Sequence, residues 1–203
     1  MRRALFCLPG LLAAMATFSA AADTLPPAQM PKPKVGDYIE YSPRFVNLDC
    51  KRWEVTNTNK NGFLTIQCGD KTAFLSAENG NLSKIVSGDG ETLVQFKPYL
   101  PSVSFPLQVG KKWEGKYSGY TADNGLRWSG DQSCEVKDVE PVKVPAGEFE
   151  TYRIDCLDNV QVVNKIYPIH TTAWYAPKLG ASVKFVNKEN PPYDYVVTGF
   201  GTK

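Results

Sequence analysis

The sequence beyond residue 35 is a long series of short segments with alternating apolar and polar residues, and it shows no sustained helical period. Alternation with a period of two is typical of half-buried β-strands. Turn-forming groups such as Asn59-Lys60-Asn61-Gly62 and Asp123-Asn124-Gly125 separate the segments. Short, evenly spaced strands with almost no helix predict an all-β fold. We expect an antiparallel twisted sheet that forms an open or half β-barrel, with a β-sandwich as the alternative.

The bounds of the strands follow from the apolar runs and the turn residues between them. The predicted strands are Asp37–Ser42, Lys51–Thr56, Phe63–Cys68, Thr72–Ser76, Leu82–Ser87, Glu91–Lys97, Lys112–Tyr120, Leu126–Ser129, Cys134–Val139, Glu148–Cys156, Val160–Tyr167, Thr171–Ala176, Ala181–Val186 and Tyr193–Phe200.

Residues 1–22 have the features of a secretory signal peptide: two arginines near the start, an apolar stretch from Ala4 to Phe18 and small residues up to Ala22. We expect cleavage after Ala22 or the residue before it. The apolar stretch is too short for a membrane anchor, so we expect no transmembrane segment in the mature chain. This predicts export to the periplasm, with the extracellular space as the alternative.

The rest of the chain divides into a leader and a domain. Residues 23–34 contain four prolines and predict an extended, semi-rigid leader outside the core. Residues 35–203 predict a single β domain. Removing two arginines from the total of 23 basic and 21 acidic residues leaves a mature chain with no formal net charge. The chain also lacks a basic stripe, so nucleic acid is not an expected partner.

Four cysteines remain after the signal peptide, which in an exported chain indicates two disulfides. They are Cys50, Cys68, Cys134 and Cys156. We predict the pairs 50–68 and 134–156, because each pair flanks one predicted hairpin. Each would close a loop of about 20 residues, worth about 3 kcal/mol. A crossed pairing and a zinc site are the alternatives. Zinc is disfavoured because the sequence has a single histidine and no Cys-x-x-Cys spacing.

The residue register supports the second pair and complicates the first. Placing Cys134 opposite Cys156 puts Val136 opposite Ile154 on the same face. In the first hairpin, the cysteine register places Arg52 opposite Ile66, whereas a shift of one residue matches Trp53 with Ile66. We therefore expect a β-bulge in that hairpin.

Two motifs in the second half of the chain carry a family resemblance. They are Val144-Pro145-Ala146-Gly147-Glu148-Phe149 and Trp174-Tyr175-Ala176-Pro177-Lys178-Leu179-Gly180. In this order and spacing they resemble exported bacterial β-proteins of the domain-of-unknown-function 3108-like class, from about Lys112 to the C-terminus. The resemblance implies a twisted antiparallel sheet or open barrel, and it implies no known reaction.

Catalytic chemistry finds little support in the sequence. His170 has no accompanying nucleophile motif and is expected at the surface or in a supporting role. Four carboxylates are formally open to paired acid–base work, and we interpret them as solvated charges at strand edges: Asp131, Glu135, Asp155 and Asp158. We therefore expect no catalytic residue, no metal site and no cofactor.

Aromatic residues are the most informative candidates for a binding site. Those expected to line a ligand site are Trp113, Tyr117, Tyr120, Trp128 and Trp174. Core packing is the competing interpretation, because aromatic rings also fill barrel interiors. The leading hypothesis is a soluble, non-enzymatic envelope protein that binds an apolar ligand or a partner protein. The alternatives are a carboxylate-dependent hydrolase acting on envelope material and an assembly factor that docks through a sheet edge.

Overall fold

A computed structural model describes residues 25–42 and 50–203. The predicted signal peptide, its cleavage point and the first two residues of the leader lie outside these residues. The strands are β1 (Asp37–Ser42), β2 (Arg52–Lys60), β3 (Phe63–Cys68), β4 (Lys71–Ser76), β5 (Leu82–Val86), β6 (Thr92–Lys97), β7 (Lys112–Thr121), β8 (Arg127–Val144), β9 (Gly147–Val162), β10 (Lys165–Ala176), β11 (Ala181–Asn187) and β12 (Tyr195–Thr202). One turn of 3-10 helix, Pro191–Tyr193, precedes β12.

The sheet is a closed barrel in which each of the 12 strands pairs with its sequence neighbours, and β1 pairs with β12. The expectation of an open or half barrel, or of a sandwich, is therefore wrong. Closure rests on an antiparallel ladder that runs from Asp37 opposite Thr202 to Ser42 opposite Val196. These partners lie at opposite ends of the sequence, so the local turn signals that predict hairpins carry no information about this pairing.

Two of the predicted strand divisions are also wrong. The segments predicted as Leu126–Ser129 and Cys134–Val139 belong to the single long strand β8. The predicted strand Val160–Tyr167 spans a turn between β9 and β10. Val163 occupies that turn with φ +55°, a conformation that β-branched residues rarely adopt, so residue type gives little warning of it.

Both disulfides have the predicted pairing, Cys50 with Cys68 and Cys134 with Cys156. In the second hairpin, Cys134 lies opposite Cys156 and Val136 lies opposite Ile154, as predicted.

In the first hairpin the predicted bulge occurs, but both predicted registers are wrong. Ile66 lies opposite Val55, rather than opposite Arg52 or Trp53. The reason is that Cys50 precedes β2 and takes no part in the ladder, so this disulfide does not set the strand register.

Because the strands run alternately up and down, successive connections lie at alternate ends of the barrel. The turn at 145–146, the turn at 177–180 and the long connection 98–111 share one end with the start of β1. We call this the leader end. The turns at 122–126 and 163–164 lie at the opposite end, which we call the aromatic end.

The leader contributes to the core, contrary to expectation. Ala28 is buried and forms a two-way backbone bridge with Leu107, with both N–H···O distances at 2.8 Å. The Tyr152 hydroxyl donates to the carbonyls of Leu25 and Pro26 at 3.0 and 2.9 Å. The proline-rich leader can pack into the core because its backbone carbonyls accept hydrogen bonds, although its proline nitrogens cannot donate them. The leader and the 98–111 connection thus fill the leader end.

Strand β9 separates two parts of the core. Tyr152 and Ile154 share one face and pack in the cluster that contains Ala28 and Leu107. Phe149 lies on the opposite face by alternation and packs in a separate cluster with residues of β11 and β12. At the tip of the β8–β9 hairpin, Phe149 faces this second cluster, whereas Glu148 and Glu150 are exposed on the other face. Within the described parts of the chain, no helix is long and apolar enough to cross a membrane.

Candidate functional site

The structure brings together two of the five predicted aromatic residues near the aromatic end. Tyr117 on β7 lies opposite Gly130 on β8, and Trp128 lies opposite Gly119, so the two rings share the face that carries the core. Phe96 on β6 completes the group, with edge-to-face ring centroids 5.7 Å from Tyr117 and 6.1 Å from Trp128. Phe96 was not among the predicted residues.

Two glycines make room for this aromatic group. A Cβ atom at Gly119 would lie 2.0 Å from Cε2 of Trp128, and one at Gly130 would lie 2.2 Å from Cε1 of Tyr117. Each ring therefore covers the bare backbone of the glycine opposite it on the neighbouring strand. The reciprocal arrangement fixes where both rings lie.

The other three predicted aromatics lie elsewhere. Trp113 donates from Nε1 to the Pro101 carbonyl at 2.9 Å and packs against the core cluster that includes the leader. Tyr120 and Trp174 fall on the opposite strand face, under cationic side chains: the Arg127 guanidinium lies 4.7 Å from the Tyr120 ring centroid, and a lysine lies over Trp174. These three residues do not form a common site with Tyr117 and Trp128.

A buried polar group lies beside the aromatic rings. The Tyr117 hydroxyl donates to Oδ2 of Asp158 at 2.5 Å, and both residues are 6% exposed. Gln132 lies directly opposite Asp158 in the β8–β9 ladder and is also 6% exposed. Among the described residues, neither Oδ1 of Asp158 nor Oε1 of Gln132 has a hydrogen-bond partner. The site thus contains two buried hydrogen-bond acceptors without a donor among the described residues.

Burial determines how these groups ionise. It raises the pKa of Asp158 as the largest cause; the hydrogen bond from Tyr117 opposes the shift, and the nearby charge of Asp131 adds to it. Burial also raises the pKa of Tyr117, and its bond to Asp158 raises it further. Tyr117 therefore stays protonated as a donor, and Asp158 holds its charge less readily than a solvated carboxylate.

The interpretation of Asp158 as a solvated strand-edge charge is wrong. The alternation that carries Cys156 inward places Asp158 on the same face, and this signal could have identified it. The other three carboxylates lie at the surface, where Asp131 pairs with Lys116 and Glu135 pairs with Lys137.

His170 lies opposite Leu157, on the other strand face from Asp158. Its ring Nδ1 lies 2.8 Å from Oε1 of Glu189, and its backbone N–H donates to Oε2 at 2.6 Å. These bonds from His170 lower the pKa of Glu189. Within residues 25–42 and 50–203, no group of three or more His, Cys, Asp or Glu side chains could hold a metal ion.

Open depressions on the outer surface have a different chemical character. One of about 430 Å³ adjoins the Cys134–Cys156 disulfide and has Lys112 and Glu135 in its lining. Another of about 410 Å³ is lined in part by Arg52. Charged side chains at these places suit polar contacts, and neither depression includes the rings of Tyr117 or Trp128.

Together, the fold and site define a closed up-and-down β-barrel that is filled by its leader at one end and carries aromatic and unpaired polar groups towards the other.

No protein-family model matches the chain, and no curated protein matches it by sequence. Solved structures are similar in fold. One, described as a lipoprotein from Parabacteroides distasonis, has a TM-score of 0.51 at 10% identity and covers 87% of this chain and 100% of its own.

Two further solved structures have lower scores. A Bacteroides fragilis protein described as exported, with a YmcC-like fold, has a TM-score of 0.49 at 16% identity and covers 86% of this chain and 100% of its own. The hypothetical lipoprotein YmcC from Escherichia coli has a TM-score of 0.48 at 12% identity, covering 91% of this chain and 93% of its own. At such low identities, similarity concerns the fold alone.

Proposed function

We propose that this chain is an exported, non-catalytic envelope protein that binds an apolar ligand at the aromatic end of its barrel. Export is supported by the signal-peptide features of residues 1–22 and by the two disulfides, which form in oxidising compartments. The fold similarity to a protein described as a lipoprotein is in keeping with an envelope location.

The observation that carries the binding proposal is an apolar rim at the aromatic end. We define the rim as Leu126, Val163, Ile166 and Tyr167, which are 39%, 82%, 65% and 48% exposed. These residues belong to the β7–β8 and β9–β10 turns and the start of β10, at the same end of the barrel as the half-buried ring of Trp128. Tyr167 lies opposite Val160 on the strand face of Gly130, whereas Ile166 lies on the other face. Exposed apolar groups concentrated at one end of a fold are a common feature of binding surfaces. The leader fills the opposite end, whereas these four residues are exposed at the aromatic end.

The two alternative functions have less support. A hydrolase with paired carboxylates needs two acids that face one site. Asp131 is near Asp158 but lies on the other strand face and pairs with Lys116, and the hydrogen-bond partner of Asp158 is the Tyr117 hydroxyl. An assembly factor that docks through a sheet edge needs an unpaired strand, and every described strand pairs on both sides in the closed barrel.

The test is binding of a neutral apolar fluorescent probe, N-phenyl-1-naphthylamine, to the native protein. We expect the probe to quench tryptophan emission and the Trp128→Ala variant to weaken binding by about tenfold, which corresponds to about 1.4 kcal/mol. Tyr120→Ala is the matched control, because Tyr120 is an aromatic neighbour on the opposite strand face. Equal loss in both variants, or no binding by the native protein, would refute the proposal. Thermal melting of each variant separates lost binding from lost folding.

A further inference from the structure

The unpaired acceptors indicate the chemistry of the ligand. Oδ1 of Asp158 and Oε1 of Gln132 come from directly opposed residues on neighbouring strands, and both atoms are buried. A buried acceptor without a partner is costly, and it is uncommon in folded proteins. Tyr117 does not supply the missing bond, because its hydroxyl donates to Oδ2 of Asp158 and leaves Oδ1 without a partner among the described residues.

A donor with several protons and a positive charge fits this pair best. A primary ammonium has three N–H donors, so a single head group carries a proton for each of the two oxygens. Its charge also compensates the carboxylate, whose ionised form is disfavoured by burial. A carboxylate headgroup offers acceptors alone, and a quaternary ammonium has charge without an N–H donor. The aromatic rings of Phe96 and Trp128 would contact the apolar remainder of the ligand.

We propose that the site takes molecules with an apolar body and a primary ammonium head, and that the ammonium donates to Asp158 and Gln132. This inference rests on the proposed function, because it names the ligand class of the same site. It makes Asp158 and Gln132 specificity-determining residues, while the rings and the apolar rim provide affinity that is shared by all apolar ligands.

The experiment compares four probes with the same chain length at pH 7, below their micelle concentrations: dodecylamine, dodecanol, dodecanoate and dodecyltrimethylammonium. Binding is followed by tryptophan emission. We expect dodecylamine to bind at least tenfold more tightly than the other three. The Asp158→Asn variant should lose that preference and should bind dodecanol as the native protein does. Asp131→Asn is the matched control: it removes a nearby surface carboxylate, so it should keep the preference.

Each outcome has a defined meaning. Equal binding of all four probes would overturn the ammonium assignment and leave the apolar site intact, whereas binding of none would overturn both proposals. Equal binding of dodecylamine and the quaternary ammonium would overturn hydrogen-bond donation. If Asp158→Asn fails to fold, Gln132→Met provides the second variant, since it removes the other acceptor while keeping an unbranched side chain. An unchanged amine preference in Gln132→Met would exclude Gln132 from the site.

Discussion

Gly130 is the position where one added methyl group should disturb the hydrogen bond between Tyr117 and Asp158. A Cβ atom there would lie 2.2 Å from Cε1, 2.3 Å from Cζ and 2.6 Å from the hydroxyl oxygen of Tyr117. Ordinary contacts of this kind are more than 1 Å longer, so the ring has to move and its hydroxyl leaves Asp158. Overpacking costs about 1–3 kcal/mol, and leaving a buried acceptor unpaired costs a further ~1–3 kcal/mol. We expect Gly130→Ala to lower the free energy of unfolding by about 2–6 kcal/mol.

The measurement is urea unfolding followed by tryptophan emission and circular dichroism. Gly199→Ala is the control, because the nearest atom to a Cβ there is Oε2 of Glu40 at 2.7 Å, at the far end of a flexible side chain. That carboxylate can swing away, so the control should change stability by less than about 1 kcal/mol. A Gly130→Ala protein as stable as the control would refute the close packing of Tyr117 over the glycine.

A double-mutant cycle with Tyr117→Phe tests the second half of the reasoning. The phenylalanine ring still meets the new methyl group, but the hydrogen bond to Asp158 is already absent. Gly130→Ala should therefore cost about 1–3 kcal/mol less in the Tyr117→Phe background than in the native one. Additive effects within about 0.5 kcal/mol would show that the methyl group does not displace the hydroxyl.

Three further predictions concern the leader, the buried acid and the disulfides. Tyr152→Phe removes the donor to two leader carbonyls, so it should lower stability by about 1–2 kcal/mol and speed proteolysis of the leader; unchanged cleavage would contradict it. Burial raises the pKa of Asp158 above 3.8, so the native protein loses stability as pH rises from below 3.8 through that raised value. Asp158→Asn has no such titrating group, so its free energy of unfolding should rise relative to that of the native protein as pH rises. Urea unfolding of both proteins across pH measures this difference in stability, and a difference that stays constant would exclude a raised pKa for Asp158. Peptide mapping without reduction should link Cys134 to Cys156, and any crossed link would contradict the barrel register.

Hairpins were predictable from the sequence because their information is local. The parity of Cys134, Val136, Ile154 and Cys156 sets one register across a short turn, and the structure has that register. The pairing of β1 with β12 is different in kind. It depends on how twist and strand tilt accumulate over the whole sheet, which no short sequence pattern records.

Residue type indicates two of the three rings in the candidate site, but not Phe96 or the buried polar pair beside them. Tyr117 and Trp128 stand out by residue type, and each is followed two residues later by the glycine that the other ring covers. Carboxylates are usually solvated, so the residue type of Asp158 predicts an exposed side chain. The alternation of β9 predicts the opposite, and the alternation is correct. Gln132 gives still less signal, since its burial depends on the neighbours supplied by β7 and β9.

The asymmetry between the two ends of the barrel connects the fold to the proposed function. At the leader end, backbone carbonyls of the leader accept hydrogen bonds from the Tyr152 hydroxyl, and Ala28 pairs with Leu107 through backbone hydrogen bonds. Towards the aromatic end, Asp158 and Gln132 each keep a buried acceptor unpaired among the described residues. Two such acceptors cost about 1–3 kcal/mol each, a large share of the 5–15 kcal/mol that stabilises a typical domain. A ligand that donates to both recovers this energy, so the structural cost and the binding proposal concern the same two atoms.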